Sequence, residues 1–207
     1  RARGGRILEQ CALVSLASSA QGVVAQTAQG PLRARDVVLA TGAWAPRIAD
    51  AVGLPWLRKT IQPGKGYSMT YSPPALTPKR PVILYEPSVC VTAWPSGYRL
   101  GSTMEFTGYD DSLNAQRLGA LERGATQFLH QPVGPQLREK WCGWRPMSRD
   151  DIPLIGRAPG HQHLWMATGH GMMGVGMSTG TAQMLADLMA GRTPEVAPEA
   201  FSPARFA

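Results

Sequence analysis

The stretch from 141 to 191 constrains the fold most, because a short apolar run is followed there by clustered glycines and a helical pattern. Residues 164–167 predict a buried strand. The glycines within residues 169–176 predict a sharp turn, and the pattern beyond them predicts a helix that Gly191 caps and Pro194 ends. Strand, turn and helix in this order are typical of α/β folds that bring backbone close to a ligand.

A second unit of this kind lies earlier in the chain. Residues 37–41 are apolar and β-branched and predict a buried strand, parallel to its neighbour. Gly42 ends the strand, and residues 44–52 predict a helix that tolerates Pro46 in its first turn. Such a unit binds a ligand in some folds and is a plain connection in others.

Residues 61–140 differ in texture. Proline and glycine predict a turn at residues 62–66 and a hairpin turn at residues 95–97. Alternating segments predict strands, and a helical spacing of leucines follows. The predicted strands are 67–71, 82–85, 89–94 and 98–104, and the predicted helix is 113–130. The sequence therefore predicts an antiparallel sheet with a helix, inserted between α/β segments at 1–60 and 141–193, with a tail at 194–207.

Composition limits the class of protein. Hydrophobic residues make up 43% of the 207 residues and charged residues 17%, so a packed core is expected. The net charge is +7, but the basic residues are scattered, so we expect no nucleic-acid partner and favour peripheral contact with an anionic membrane. Three cysteines without a CxxC spacing favour a reducing, cytoplasmic compartment. The four histidines form no metal-binding set, so no metal is expected.

Arg145 is the most informative charged residue. Pro146 biases it toward extended backbone, and Trp144 beside it predicts a partly buried setting. A guanidinium matches a carboxylate through two parallel hydrogen bonds, so Arg145 is a candidate substrate anchor. The alternative is a structural ion pair with Asp150 or Asp151.

The glycine turn before the last helix has two interpretations. A bare helix N-terminus offers unpaired N–H groups and partial positive charge, which suit an anion or an electron-rich ring. It equally suits tight helix packing without a ligand. His170, inside that turn, either contacts the ligand or caps the turn through a hydrogen bond.

Taken together, five motifs resemble the FAD-dependent D-amino-acid oxidase superfamily, especially the D-amino-acid dehydrogenases and glycine-oxidase-like members. In chain order they are Ala40-Thr41-Gly42-Ala43-Trp44, Pro63-x-Lys65-Gly66-Tyr67, Gly143-Trp144-Arg145-Pro146, Ile152-Pro153-Leu154-Ile155-Gly156 and Ala167-Thr168-Gly169-His170-Gly171. The resemblance implies an α/β (α+β) fold: the C-terminal part of an FAD/NAD(P)-binding domain with an inserted antiparallel-sheet substrate domain.

The resemblance also implies a cofactor and site residues. FAD is the expected cofactor, and Arg145 is the expected catalytic residue, as anchor of the substrate carboxylate. The residues expected to bind the cofactor are Thr41, Gly42, Ala43, Trp44, Gly169, His170, Gly171 and Gly174. Family members open with a strand, a G-x-G-x-x-G turn and a helix that hold the FAD pyrophosphate. This chain starts at Arg1 without that opening, so we expect a truncated chain, or a missing N-terminal segment or partner chain that supplies it.

The implied reaction is oxidation of an amino acid at Cα by hydride transfer to flavin N5. The imino acid then hydrolyses to a 2-oxo acid and ammonia. The electron acceptor is either oxygen or a quinone or electron carrier. Met172 and Met173 stand where glycine-oxidase-like members carry a second arginine, which favours a dehydrogenase. Alternatives are a relative acting on glycine, sarcosine, proline or hydroxyproline, and a non-catalytic chain that binds no FAD alone.

Overall fold

The computed structural model describes residues 4–207, so residues 1–3 of the predicted segment 1–60 lie outside the described residues. The chain forms two compact units. The first contains residues 4–62 together with Pro146–Ala207, and the second contains Pro63–Arg145.

The strands and helices alternate along the chain as follows. The strands are β1 (Leu13–Ser19), β2 (Gly22–Thr27), β3 (Gly30–Ala34), β4 (Val37–Leu39), β5 (Ile61–Tyr71), β6 (Val82–Leu84), β7 (Val89–Trp94), β8 (Gly97–Glu105), β9 (Leu137–Ser148), β10 (Leu154–Arg157) and β11 (Leu164–Thr168). The α-helices are α1 (Leu57–Thr60), α2 (Ala115–Thr126) and α3 (Gly174–Met189), and 3-10 helices span Gly42–Ile48, Glu199–Phe201 and Pro203–Phe206.

The first unit contains two three-stranded sheets. Strands β1, β2 and β3 form an antiparallel meander, and the second sheet has the order β10-β11-β4. Strand β4 runs parallel to β11, with Val37 opposite Leu164, which confirms the parallel strand predicted there. The helix predicted at 44–52 is instead a 3-10 helix that begins at Gly42 and contains Pro46 in its interior. Proline lacks the N–H that an α-helix would need at that position.

The core of the first unit comes from the predicted apolar runs. Its main cluster buries Leu39, Leu54, Leu57, Ile61, Leu154, Leu164 and Met166. Each such side chain contributes roughly 1.5–3 kcal/mol when it is fully buried. This cluster joins strands β4, β10 and β11 to the segment that follows β4, whereas Met184 and Leu185 of α3 pack with Ile155 and Trp165 in a second cluster.

Asp36, just before β4, ties this sheet to its neighbours. Its carboxylate accepts hydrogen bonds from Arg35 Nε at 2.7 Å and from Trp165 Nε1 at 3.1 Å, and it contacts His163 Nδ1 at 3.2 Å. The bonds from Arg35 and Trp165 outweigh desolvation and lower the pKa of Asp36 to about 2. His163 also contacts the carbonyl of Ala20, so the turn after β1 is linked to the starts of β4 and β11.

Helix α3 ends as the sequence predicts. Gly191 has a φ of +70° and its N–H donates to the carbonyl of Leu188 at 3.2 Å, while Arg192 N–H donates to the carbonyl of Asp187 at 2.8 Å. The Arg192 side chain also pairs with the Asp187 carboxylate at 2.7 Å. These bonds satisfy carbonyls that a helix C-terminus leaves unpaired.

The second unit is a five-stranded sheet in the order β6-β7-β8-β5-β9, against which α2 packs. Its core buries Tyr67, Met69, Val89, Val91, Tyr98, Leu100, Leu118 and Leu121. Helix α2 is shorter than the predicted 113–130. It begins after Asn114, whose side chain accepts from the N–H groups of Gln116 and Arg117.

Two parts of the second unit differ from the sequence prediction. The turn predicted at residues 62–66 is wrong, because these residues lie inside the eleven-residue strand β5. Strand β9, which carries Arg145, was not predicted at all. The hairpin at 95–97 is confirmed, with Trp94 opposite Gly97.

No helix among residues 4–207 combines the length and the apolar character that crossing a bilayer requires. Peripheral contact with an anionic membrane stays a prediction.

Candidate functional site

Arg145 lies near the end of β9 and lines a cavity of about 340 Å³ in the second unit. The walls combine aromatic, hydroxyl and glycine residues, among them Gly66, Tyr67, Arg99, Ser102, Trp141 and Trp144. An apolar cavity with a few polar groups is the usual form of a small-molecule site. Neighbouring strands β8, β5 and β9 supply these residues, so a sheet rather than a loop positions the guanidinium.

The Arg145 guanidinium has no carboxylate within ion-pairing distance among residues 63–145. Its hydrogen bond in this unit is a long one, from Nη1 to the carbonyl of Thr103 at 3.5 Å. Asp150, one of the two alternative partners, instead accepts from Arg205 at 2.7 and 3.1 Å. Burial lowers the pKa of Arg145, but the guanidinium stays protonated near neutral pH. A half-buried cation without a charged partner in its own unit fits an anionic ligand.

Lys65 precedes Gly66 on β5, is fully buried and already has partners for its charge. Its Nζ donates to the Ser112 carbonyl at 2.5 Å, and it pairs with Asp110 at 3.1 Å and with Glu105 at 3.6 Å. Burial disfavours its charged form, but hydrogen bonds involving Tyr67 and Asp110 outweigh burial and raise the pKa of Lys65. Lys65 therefore acts as a structural cation, whereas Arg145 has no carboxylate partner in its own unit and is available for a ligand.

Thr41 and Gly42 follow the carboxyl end of β4 in the first unit. Because β4 and β11 are parallel, their carboxyl ends meet at one edge of the sheet, and Thr168 Oγ1 donates to the Gly42 carbonyl at 3.2 Å. The 3-10 helix that starts there buries Ala43 and leaves Trp44 half exposed. The predicted residues that follow β4 and those that follow β11 therefore lie at the same edge of the sheet.

The turn between β11 and α3 holds the remaining predicted residues. Gly169 and Gly171 have φ angles of +79° and +52°, which favour glycine. The Gly171 N–H donates to the Pro146 carbonyl at 2.9 Å, and His170 Nε2 contacts Thr181 Oγ1 at 3.0 Å. Burial lowers the pKa of His170, so its imidazole is neutral near pH 7. The contact joins the turn to α3, and the role of His170 toward a ligand stays a prediction.

The first unit fits part of a flavin site. Thr41 Oγ1 and Ser148 Oγ are buried and have no hydrogen-bond partner among the described residues, and such groups are costly unless something pairs with them. A Cβ atom at Gly42 would meet nothing within 4 Å, so the backbone there can be approached. Helix α3 begins at Gly174 with no acidic residue in its first turn, which keeps its positive end available.

Sequence reasoning missed two signals, one in the first unit and one in the second. Gly169, Gly171 and Gly174 have the G-x-G-x-x-G spacing directly after a strand, although the helix begins only at the third glycine. Ser102 and Thr103 on β8 have φ angles of 110° and 49°, which is unusual for residues with side chains. No residue pattern predicts these positive φ angles, because they arise from how β8 pairs with β5.

Comparison with known proteins gives the family. A sequence model described as FAD dependent oxidoreductase, the DAO family, matches residues 1–188. Over 186 residues the chain is 36% identical to the D-amino acid dehydrogenase of Methylobacterium sp. (strain 4-46), covering 87% of this chain and 43% of that protein. It is 31% identical over 179 residues to the glycine oxidase of Pseudomonas putida, covering 86% of this chain and 48% of that protein.

Solved structures share the fold. The glycine oxidase from Geobacillus kaustophilus superposes with a TM-score of 0.82 at 23% identity, covering 96% of this chain and 53% of that one. The iminodiacetate oxidase from Chelativorans sp. BNC1 superposes with a TM-score of 0.75 at 27% identity, covering 91% and 52%.

The chain therefore belongs to the DAO family of FAD-dependent oxidoreductases, whose cofactor is FAD. It spans about half the length of the curated relatives that it matches.

Proposed function

We propose that this chain provides the substrate-binding unit and part of the flavin-binding unit of an FAD-dependent D-amino acid dehydrogenase. The observation that carries the proposal is the Arg145 guanidinium, which lines an aromatic cavity without a carboxylate partner in its own unit. The similarity to a D-amino acid dehydrogenase at 36% identity supports the substrate class.

In this proposal Arg145 binds the substrate carboxylate through two parallel hydrogen bonds, and Tyr67, Trp141 and Trp144 exclude water around it. Residues 41–44 together with Gly169, His170, Gly171 and Gly174 would hold the flavin. Bound FAD would supply the acceptor for the hydride that leaves the substrate Cα, while the amine nitrogen loses a proton. The resulting imino acid takes up water and releases ammonia, which leaves a 2-oxo acid.

The proposal is tested by incubating the purified chain with FAD, removing free FAD and adding D-amino acids without oxygen. We expect a retained flavin absorbance band that D-amino acids bleach. Glycine, sarcosine, proline and hydroxyproline are assayed separately as the alternative substrates. A protein that stays colourless would favour the alternative that this chain binds no FAD alone, and would refute the proposal that its residues suffice to retain the flavin.

Arg145→Lys tests the anchor directly. Lysine keeps the charge but loses the planar fork, and one charged hydrogen bond is worth about 1.5–3 kcal/mol, so substrate affinity should fall by roughly tenfold or more. Arg138→Lys is a matched control, because Arg138 lies on the same strand but is exposed and bonds the Ser96 carbonyl. The control should change affinity by less than about twofold. Equal affinities in the two variants would refute the anchor.

The electron acceptor separates two classes within this function. We infer a quinone or electron carrier, on the similarity to a D-amino acid dehydrogenase, while the glycine oxidase relatives make oxygen the alternative. Oxygen consumption that matches substrate turnover would identify an oxidase. Turnover that requires an added quinone or dye would identify a dehydrogenase.

A second candidate is the oxidation of a secondary amine that carries two carboxylates. Arg99 lines the same cavity as Arg145, stacked between the rings of Trp94 and Trp141 at 5.3 and 5.6 Å. Its charge is partly compensated by Glu139 at 3.4 Å, which makes this candidate weaker. Faster flavin bleaching by iminodiacetate than by D-alanine, lost in Arg99→Gln, would favour it.

A further inference from the structure

Gly66 lies on β5 directly beneath the Arg145 guanidinium. A Cβ atom at position 66 would overlap Nη1 and would lie 2.5 Å from Cζ and 2.6 Å from Nη2. Real Cβ atoms do not approach other heavy atoms below 3.0 Å, so the whole planar fork occupies the space that a side chain would need. Gly66 has no positive φ, so a side chain at this position would act through the space that the Arg145 fork occupies and not through the backbone conformation.

The strand opposite Gly66 contains one extra residue. Lys65 pairs with Glu105 and Tyr67 with Ser102, so one residue of β5 faces two residues of β8. An extra residue of this kind is a β-bulge, which bends the strand and re-aims its groups. At this bulge Ser102 and Thr103 have φ angles of 110° and 49°, and a β-branched residue at such an angle is strained.

The bulge and the glycine act on the same side chain. The Thr103 carbonyl accepts from Arg145 Nη1 at 3.5 Å, and Gly66 leaves room for the rest of the fork. Both contacts use backbone rather than carboxylate groups, so they hold the guanidinium without neutralising it. The strand itself is fixed next to Gly66 by the ionic bonds of Lys65.

We propose that Gly66 is a positioning residue for the Arg145 anchor, and that its missing side chain, together with the bulge at Ser102–Thr103, sets where the guanidinium meets a carboxylate. This inference rests on the proposed function, because it assumes that Arg145 binds the substrate carboxylate. Any side chain at position 66 moves the fork and weakens carboxylate binding, although it removes no charge.

The test is a double-mutant cycle on carboxylate binding, measured by calorimetric titration of the whole chain with benzoate, and with benzyl alcohol as the uncharged probe. Gly66→Ala should weaken benzoate binding at least tenfold. In an Arg145→Ala background the same substitution should change binding less than twofold, because nothing remains to be displaced. Binding of benzyl alcohol should be unaffected by Gly66→Ala within about twofold.

Gly101→Ala is the matched control. Gly101 lies on β8, where a Cβ atom would meet Ser68 Oγ at 3.7 Å and the Tyr67 carbonyl at 3.8 Å, which are ordinary contacts. We expect Gly101→Ala to leave the difference in affinity between benzoate and benzyl alcohol unchanged. Circular dichroism and thermal melts report whether each variant folds.

The outcomes separate the two proposals. Benzoate affinity that is unchanged by Arg145→Ala would refute the anchor and hence the proposed function. Affinity that is weakened by Arg145→Ala but unchanged by Gly66→Ala would overturn only the role of Gly66. If Gly66→Ala fails to fold, recovery of folding in the double variant supports displacement of Arg145, and equal failure of both variants overturns it.

Discussion

Replacing Lys65 by methionine should destabilise the protein through a named set of broken bonds. The side chain is 0% exposed and makes ionic contacts with Asp110 at 3.1 Å and Glu105 at 3.6 Å, besides its bond to the Ser112 carbonyl. Removing one partner of a buried ion pair costs about 3–5 kcal/mol when the other charge stays buried. Methionine preserves most of the volume, so packing contributes little to the loss.

The structure places the loss for Lys65→Met at or just below the lower limit of that range. Asp110 is 49% exposed and regains water when the lysine is removed. Glu105 is only 10% exposed but keeps its contact with Arg117 at 3.2 Å and its hydrogen bond from Tyr67. We therefore expect a loss of about 2–3 kcal/mol in the free energy of unfolding, against a total of about 5–15 kcal/mol for a typical protein.

Urea denaturation followed by circular dichroism measures this loss. The matched control is Lys140→Met, because Lys140 is exposed on β9 and its replacement should change the free energy of unfolding by less than about 0.5 kcal/mol. A Lys65→Met loss below about 1 kcal/mol would show that desolvation of the lysine cancels its bonds and would refute the reasoning.

Three further predictions concern stability in the first unit. The lowered pKa of Asp36 means that its stabilising bonds are complete above its usual pKa of 3.8 and are lost as the pH falls toward about 2, so the melting temperature should drop across that interval. Asp36→Asn should remove this pH-dependent component and lower the melting temperature at neutral pH. Gly180→Ala on the open face of α3 should raise the free energy of unfolding by about 0.5–1 kcal/mol, since a Cβ atom there meets nothing and alanine favours helix. Gly191→Ala should lower it by about 1 kcal/mol in the same urea assay, because its φ is +70°.

Local patterns predicted the strands and helix that bury a regular apolar face. The strand at 164–167, the helix end at Gly191 and the parallel strand at 37–41 all follow from short-range spacing. The strand predicted at 67–71 is the second half of β5, but the first half could not be found in this way, because Pro63, Gly64 and Gly66 have the composition of a turn. Tertiary contacts override that composition: the ionic bonds of Lys65 hold the strand, and Gly66 is present to leave space.

Only part of the candidate site could be predicted from local sequence patterns. Arg145 could be singled out because its neighbours Trp144 and Pro146 indicate an extended, partly buried backbone. The Thr103 carbonyl and the bulge that contains it depend on the register between two strands that are about forty residues apart in sequence. Sequence spacing carries no information about such a register, so the groups that hold the guanidinium appear only in the folded sheet.

The overlap between position 66 and the Arg145 fork links two residues that are far apart in the chain. A relative that gains a side chain at position 66 must also shorten or move its arginine, and a relative that loses the arginine is free to replace the glycine. Substitutions at the two positions should therefore occur together across the family. On the proposal that Arg145 anchors the substrate, a change of substrate class would begin at position 145, because a side chain gained first at position 66 would collide with the fork.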